Sequence, residues 1–269
     1  GILGDPSSFL PRVEMTQVGA PLPTTEGLIM RVRVMDSTPR PWRMAIYDQY
    51  TGQGWLEAAY DETLSAKIVE NTQDARRALL QRFILYQKTE GQLFAAGEPV
   101  QAISEGVNIV PLENDESQVL FGPVQHYEVI SMVPAINSNF LMGAKGTIPP
   151  EIREGYLQLP EGIPERVRVQ ARRLFADNPT YYEKVIRAQD FVRKVVPYDL
   201  NTPPPREGQD VVDYLLFEAP SGFCSYYASA MAVLLRMEGI PTRVVTGYAA
   251  GVYVIEEGYF EVTGDLVHA

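Results

Sequence analysis

The sequence predicts an α+β fold, because the period of its apolar residues changes once along the chain. Before about residue 150, apolar and polar residues alternate in short runs, which is typical of strands; residues 28–35 are the clearest case. After residue 150, apolar residues recur at spacings of three and four over 164–176 and 181–196, which predicts two amphipathic helices. The chain therefore has a strand-rich part followed by a mixed part.

The first part, residues 1–150, is predicted to be a β-rich domain. Glycine and proline recur at short intervals and no long helical period is present, so a sandwich-like arrangement or an open barrel is expected. A glycine-rich turn at 51–54 should join two strands. Further strands are predicted at 44–50, 82–86, 119–121 and 127–133.

The second part, residues 151–269, begins after a proline-rich joint at 145–150. Its two amphipathic helices are followed by a short helix at 210–217 and by an apolar helix that begins at Cys224. Strands are predicted at 243–248, 252–255 and 259–263. We expect the two parts to fold separately, since the period changes across the joint.

Composition and charge restrict the class of function. With 45% hydrophobic and 10% aromatic residues, the 269-residue chain can bury sizeable cores. The net charge of −11 provides no basic face, which argues against nucleic acid as a partner. No stretch reaches the ~18 apolar residues that cross a bilayer, so a soluble chain is expected.

Cys224 is the only cysteine, and it follows Gly222 at the predicted start of a helix. Unpaired backbone N–H groups and the helix dipole favour an anion at such a position, so a lowered thiol pKa is expected. A thiolate is a strong nucleophile, which indicates covalent catalysis. One cysteine and two histidines cannot supply a zinc site, so neither a metal nor a cofactor is expected.

The two histidines differ in their surroundings. His126 lies in a predicted strand of the first part and is interpreted as a structural residue. His268 follows the predicted strand at 259–263, which would place its imidazole on a sheet facing the cysteine helix. A cysteine on a helix and a histidine on a strand form a papain-like dyad. Asp265 is expected to point away from the ring.

The run around the cysteine resembles the core of the transglutaminase-like superfamily. Within that superfamily the chain is similar to the bacterial membrane-anchored transglutaminase-like proteins, because a stretch rich in tryptophan and tyrosine in the first part also resembles the segment that these proteins carry upstream of the core. The residues that carry the resemblance are Gly222-Phe-Cys224, Ala228-Ser-Ala230, Leu234-Leu-Arg236, Gly239-Ile-Pro241, Arg243-Val-Val-Thr-Gly-Tyr248, Trp42-Arg43 and Tyr47-Asp-Gln-Tyr-Thr-Gly-Gln-Gly-Trp55.

This resemblance implies a papain-like transglutaminase core with Cys224 as nucleophile and His268 as base. The third member of the triad, an aspartate, would lie on the next strand, beyond Ala269. The family also implies a location on the extracytoplasmic face of the bacterial cytoplasmic membrane, as a soluble domain of a membrane-anchored protein. The implied substrates are proteins or peptides that carry glutamine and amine groups.

Three functions remain open from the sequence. The first is acyl transfer on glutamine side chains through a thioester at Cys224, giving cross-linking or deamidation. The second is a cysteine peptidase or amidohydrolase that uses the same residues, and the third is a non-catalytic binding module. For the oxyanion, the Cys224 N–H is the expected donor, with Tyr198 or Tyr226 as a second donor or a substrate-lining residue.

Overall fold

The computed structural model describes residues 10–23, 25–69, 75–113, 117–144 and 147–269. Strands come first in the chain, then helices, then four short strands, as an α+β fold requires. The strands of the first part are β1 (Leu28–Val34), β2 (Trp42–Tyr50), β3 (Trp55–Glu57), β4 (Arg76–Leu85), β5 (Gln92–Leu93), β6 (Glu98–Ala102), β7 (Asn108–Pro111), β8 (Gln118–Phe121) and β9 (His126–Pro134).

Six α-helices follow within the described ranges, and the apolar helix that begins at the cysteine is the most buried of them. They are α1 (Ser138–Gly143), α2 (Pro150–Tyr156), α3 (Glu165–Phe175), α4 (Tyr181–Val195), α5 (Val211–Phe217) and α6 (Cys224–Met237). The last strands are β10 (Val244–Tyr248), β11 (Val252–Val254), β12 (Tyr259–Thr263) and β13 (Val267–His268), with a 3-10 turn at Gly264–Leu266.

Strands from both parts of the chain share the two larger sheets. The six-stranded sheet has the order β11-β12-β1-β4-β9-β6, so β1 lies between β12 and β4. The four-stranded sheet has the order β13-β10-β2-β3, in which β10 pairs antiparallel with β2. A third sheet, β5-β8-β7, belongs to the first part alone.

This pairing overturns the expectation that the two parts fold separately. Residues such as Val262 in β12 and Val244 in β10 are buried in sheets whose neighbouring strands come from the other part. Separation would leave their backbone N–H and C=O groups without partners. The domain boundary at residue 150 stays a prediction, and positions 145 and 146 of the joint lie outside the described residues.

The cysteine helix α6 is held against the four-stranded sheet by polar contacts as well as by apolar packing. Trp55 donates from Nε1 to Oγ of Ser229 at 3.0 Å, and the Arg236 guanidinium lies over the Trp55 ring. Arg236 also donates to the backbone oxygen of Asp48 at 2.7 Å. Both tryptophans are fully buried, and Trp42 packs edge-on against Phe83 and Phe260.

Candidate active site

The thiol of Cys224 lies at the first residue of α6 and is only 3% exposed. Phe223 caps the helix with extended backbone and no side-chain hydrogen bond, so the first N–H groups are available to other partners. Three backbone N–H groups point at the sulfur: those of Cys224 itself, Ser225 and Ala269. The sulfur therefore occupies an anion site of the kind that helix starts form.

Burial nevertheless raises the pKa of the Cys224 thiol above its ordinary value of 9.0. The three N–H groups act in the opposite direction but do not compensate for the loss of water around the sulfur. The lowered pKa that the sequence suggested is therefore wrong for the resting protein. Its thiol is protonated at neutral pH and needs a base to react.

His268 lies in β13, whose hydrogen-bonding neighbour is β10. The imidazole keeps an exposed surface, and its pKa is lowered because the surrounding protein excludes water. The N–H of Ala269, the next residue, lies close enough to the Cys224 sulfur to favour its charged form. The end of β13 therefore touches the start of α6, which brings the two predicted catalytic residues to the same place.

Close packing of the sheet fixes this position of His268. His268 is paired with Gly247 across the ladder, next to an irregularity in the pairing of β10 with β2. A methyl group at Gly247 would overlap the backbone oxygen of Trp42, so only glycine allows this approach of the strands.

Tyr198 lies beside the thiol, as the sequence suggested. Its phenol oxygen lies near the Cys224 N–H, which favours the charged form of the phenol, and its ring packs against Tyr227 with centroids 6.0 Å apart. Burial raises the pKa of Tyr198, and the neighbouring sulfur raises it further by a smaller amount. The phenol therefore stays protonated and can also donate a hydrogen bond. The hydroxyl and the Cys224 N–H thus form a pair of polar groups facing the reaction site.

Hydrogen bonds attach the chain around Tyr198 to the residues that immediately precede Cys224. Asp199 donates its N–H to the oxygen of Gly222 at 2.9 Å, and Gly222 donates back to the oxygen of Pro197 at 3.0 Å. Buried hydroxyls of Thr202 and Ser221 lie 2.9 Å apart and join the same segments. The position of Tyr198 is therefore coupled to that of Cys224.

Tyr226 lies elsewhere, in the buried core. Its ring packs against Phe223 and Tyr214, and its hydroxyl is in contact range of Gly19. Burial raises the pKa of Tyr226 to about 12. These contacts place its hydroxyl toward the N-terminal segment, away from the Ala269 side of the helix start. Its predicted role at the oxyanion stays a prediction, without a contact that supports it.

Other polar residues occupy places away from the thiol. His126 begins β9 and pairs with Ile84, and Asp265 is exposed in the 3-10 turn. Among the described residues, no three His, Cys, Asp or Glu side chains are grouped so that they could hold a metal ion. Sequence reasoning missed the N–H groups of Ser225 and Ala269, because only the folded chain shows that they converge on the sulfur.

Comparison with known proteins identifies the second part of the chain. Residues 168–269, which include α6, β10 and β13, match the Transglutaminase-like superfamily. The core of this chain is a transglutaminase-like domain. The α+β fold with a strand-rich N-terminal region is confirmed by the crystal structure of the periplasmic domain of TgpA from Pseudomonas aeruginosa. The similarity to this transglutaminase-like protein has a TM-score of 0.66 and 26% identity, over 91% of this chain and 82% of that one.

Two curated relatives extend the comparison. The chain is 30% identical over 255 residues to YebA, an uncharacterized protein of Bacillus subtilis strain 168, covering 85% of this chain and 34% of YebA. It is 53% identical over 55 residues to the protein-glutamine gamma-glutamyltransferase of Pseudomonas aeruginosa PAO1, covering 20% of this chain and 8% of that protein. The transglutaminase-like chain thus spans about a third of the length of YebA.

Across the described ranges, none of the helices combines the length and the apolar character that crossing a bilayer requires.

Proposed function

We propose that this transglutaminase-like domain transfers the acyl group of a glutamine side chain through a thioester at Cys224. The observation that carries the proposal is the contact between the Ala269 N–H and the Cys224 sulfur, since it brings the end of the His268 strand to the thiol. The similarity to a named glutamine gamma-glutamyltransferase supports the choice of substrate.

The directions of the two pKa shifts define the first step. A raised thiol pKa and a lowered imidazole pKa give a neutral pair at rest, in contrast to the thiolate that the lowered pKa expected from the sequence would give. His268 takes the proton of Cys224 as the sulfur attacks the carboxamide carbon. The carbonyl oxygen becomes negative and is stabilised by the Cys224 N–H together with the Tyr198 hydroxyl.

The intermediate then collapses, with proton transfer to the leaving group. The carbon–nitrogen bond breaks, His268 returns its proton to the nitrogen, and ammonia leaves. A thioester remains on Cys224. An amine attacks this thioester to form a cross-link, or water attacks it in deamidation; His268 accepts the proton of the attacking group and passes it to the departing sulfur.

A peptidase would use the same two residues on a backbone amide. The two reactions differ in the group that leaves: ammonia from a glutamine side chain, or the C-terminal peptide from a cut chain. This difference makes them separable by experiment.

We further propose that the domain acts outside the cytoplasm as part of a membrane-anchored protein, on polypeptides that carry glutamine and amine groups. The similarity to a periplasmic domain supports this location. The third triad residue, an aspartate beyond Ala269, belongs to the same proposal.

The test is incorporation of a fluorescent primary amine, dansylcadaverine, into unfolded casein by the full-length protein. Cys224→Ala and Cys224→Ser should reduce incorporation to background, because neither variant forms the thioester. Met231→Leu, a conservative change of a half-buried residue seven positions later in the same helix, is the matched control and should retain incorporation. Normal incorporation by folded Cys224→Ala would overturn the proposal.

A further inference from the structure

A groove of about 1120 Å³ runs beside the proposed active site. One wall is the N-terminal strap, residues 16–21, together with Gln53; the other is the proline loop, residues 200–209. The loop begins two residues after Tyr198, and two extended residues span at most about 7 Å. The near end of the groove is therefore close to the residue that contacts the Cys224 N–H.

Both walls are held in place. Val18 of the strap donates its N–H to the oxygen of Gln53 at 3.0 Å, and Tyr214 donates its hydroxyl to the oxygen of Pro203 at 2.8 Å. Three consecutive prolines, 203–205, stiffen the loop. A ligand would therefore meet a largely preformed surface, which reduces the entropy lost on binding.

The groove presents carboxamides more than charges. Gln17 and Gln53 are exposed, and their side-chain amides form no hydrogen bond with any part of the chain that the structure describes. Asn201 adds a third amide on the opposite wall. Arg206 pairs with Glu218 at 2.8 Å, and Glu207 adds one exposed carboxylate to the loop wall. Amides both donate and accept, as a peptide backbone does, so these side chains suit the main chain of an extended polypeptide.

A buried hydroxyl lies beneath the strap. Oη of Tyr226 has no hydrogen-bond partner among the described residues, although the residue is 1% exposed. The hydroxyl lies against Gly19, where an added methyl group would overlap it, and Pro205 lies 3.5 Å from the same added methyl position. Buried polar groups without partners are rare and call for an explanation. Gly19 of the strap covers the hydroxyl, so a small shift of the strap on ligand binding would let a ligand carbonyl accept this hydrogen bond.

We infer that this groove binds the main chain of the polypeptide whose glutamine reacts at Cys224. The inference rests on the proposed function and adds the substrate class: an extended segment several residues long, recognised through its main chain and away from its reacting side chain. It also gives the Tyr226 hydroxyl a role in substrate lining.

The test measures binding without chemistry. A fluorescein-labelled peptide of about twelve glycine, serine and proline residues around one glutamine is long enough to follow the groove. Its affinity is measured by fluorescence anisotropy for full-length protein that carries Cys224→Ala. Adding Gln17→Trp should weaken binding by about five-fold or more, because it obstructs the groove and removes a hydrogen bond. Adding Gln101→Trp, an exposed glutamine on the edge strand β6, should leave binding unchanged.

Tyr226→Phe separates recognition from packing. It should weaken binding of the same peptide by about five-fold and leave the melting temperature unchanged or higher, since the lost hydroxyl has no partner in the fold.

The inference is overturned if the peptide does not bind, or if Gln17→Trp binds it as tightly as Gln101→Trp. Failure of the proposed function would appear differently: binding would depend on Gln17, yet the protein with Cys224 intact would transfer no acyl group.

Discussion

At Cys224 two physical effects oppose each other, and burial prevails. Three N–H groups favour the thiolate, while exclusion of water favours the thiol and raises its pKa. The nucleophile is thereby kept protonated until His268, whose pKa is lowered, removes its proton. Reactivity at this residue then depends on the base as well as on the helix start.

Alkylation by iodoacetamide should report this resting state. Because the pKa of Cys224 is raised above 9.0, alkylation should be slow at pH 7 and should rise with pH into the alkaline range without a plateau near neutrality. The rate is measured by mass spectrometry between pH 5 and pH 10, with free cysteine as reference. A plateau already present at pH 6 to 7 would show a thiolate and imidazolium pair instead.

Tyr198 should contribute to the rate rather than to substrate affinity. Tyr198→Phe removes the hydroxyl beside the Cys224 N–H, and loss of one oxyanion donor lowers kcat by about 10²-fold or more. Steady-state kinetics with a small glutamine donor should show this fall with KM nearly unchanged. Tyr181→Phe, an exposed tyrosine on α4, is the control. An unchanged kcat in Tyr198→Phe would remove the hydroxyl from the mechanism.

At the scale of elements, the positions of β10 and β13 depend on one glycine. Gly247→Ala would place a methyl group against the Trp42 oxygen and push β10 away from β2. We expect a loss of about 1–3 kcal/mol in the free energy of unfolding, as for other overpacked sites. Acyl transfer should fall by more than the increase in unfolded protein accounts for, because His268 moves with β10.

Gly155→Ala is the matched control for this change, since a methyl group there meets no atom within 4 Å. Urea unfolding and amine incorporation are measured for both variants. If Gly247→Ala were as stable and active as Gly155→Ala, the close approach of the strands would not be what positions the histidine.

Local patterns predicted most elements because the relevant contacts repeat within each element. The alternation at 28–35, the helical spacing at 181–196 and the cysteine helix all appear close to their predicted bounds. The two-residue strand β13 and the short helices α1 and α2 were missed, since none is long enough to show a period.

The site could be predicted only in part, for a related reason. Cys224 and His268 could be identified from the sequence, because a cysteine at a helix start and a histidine after a strand are the residues that this chemistry requires. The sign of the thiol pKa shift depends on how many distant residues bury the sulfur, and the Ala269 N–H contact depends on the path of the chain. Neither is contained in a local pattern.

At the scale of the whole molecule, the strand order joins the two parts of the chain in shared sheets. β1 pairs with β12 and β2 pairs with β10, so each part of the chain completes the sheets of the other. The helix α6, through Arg236, is also bound to the backbone of β2. The period change near residue 150 predicted two separate folds because local periodicity carries no information about pairing between distant strands.

We therefore predict that residues 151–269 do not fold alone. Exposed edges on β10 and β12 would leave unpaired backbone groups and uncovered apolar residues. Near-ultraviolet circular dichroism of this fragment should lack the signal of the 269-residue chain, and mixing with residues 1–150 should restore it. A cooperative thermal transition of the isolated fragment would contradict this prediction.

The measurement that tests the account most directly is the mass of the acyl-enzyme. The full-length protein is incubated with N-benzyloxycarbonyl-glutaminyl-glycine without an amine, quenched in acid and digested. We predict that the peptide containing Cys224 gains the mass of the donor less ammonia, and that Cys224→Ala shows no adduct. An adduct that has lost glycine instead would indicate a peptidase. The absence of any adduct from protein that consumes the donor would contradict a thioester at Cys224.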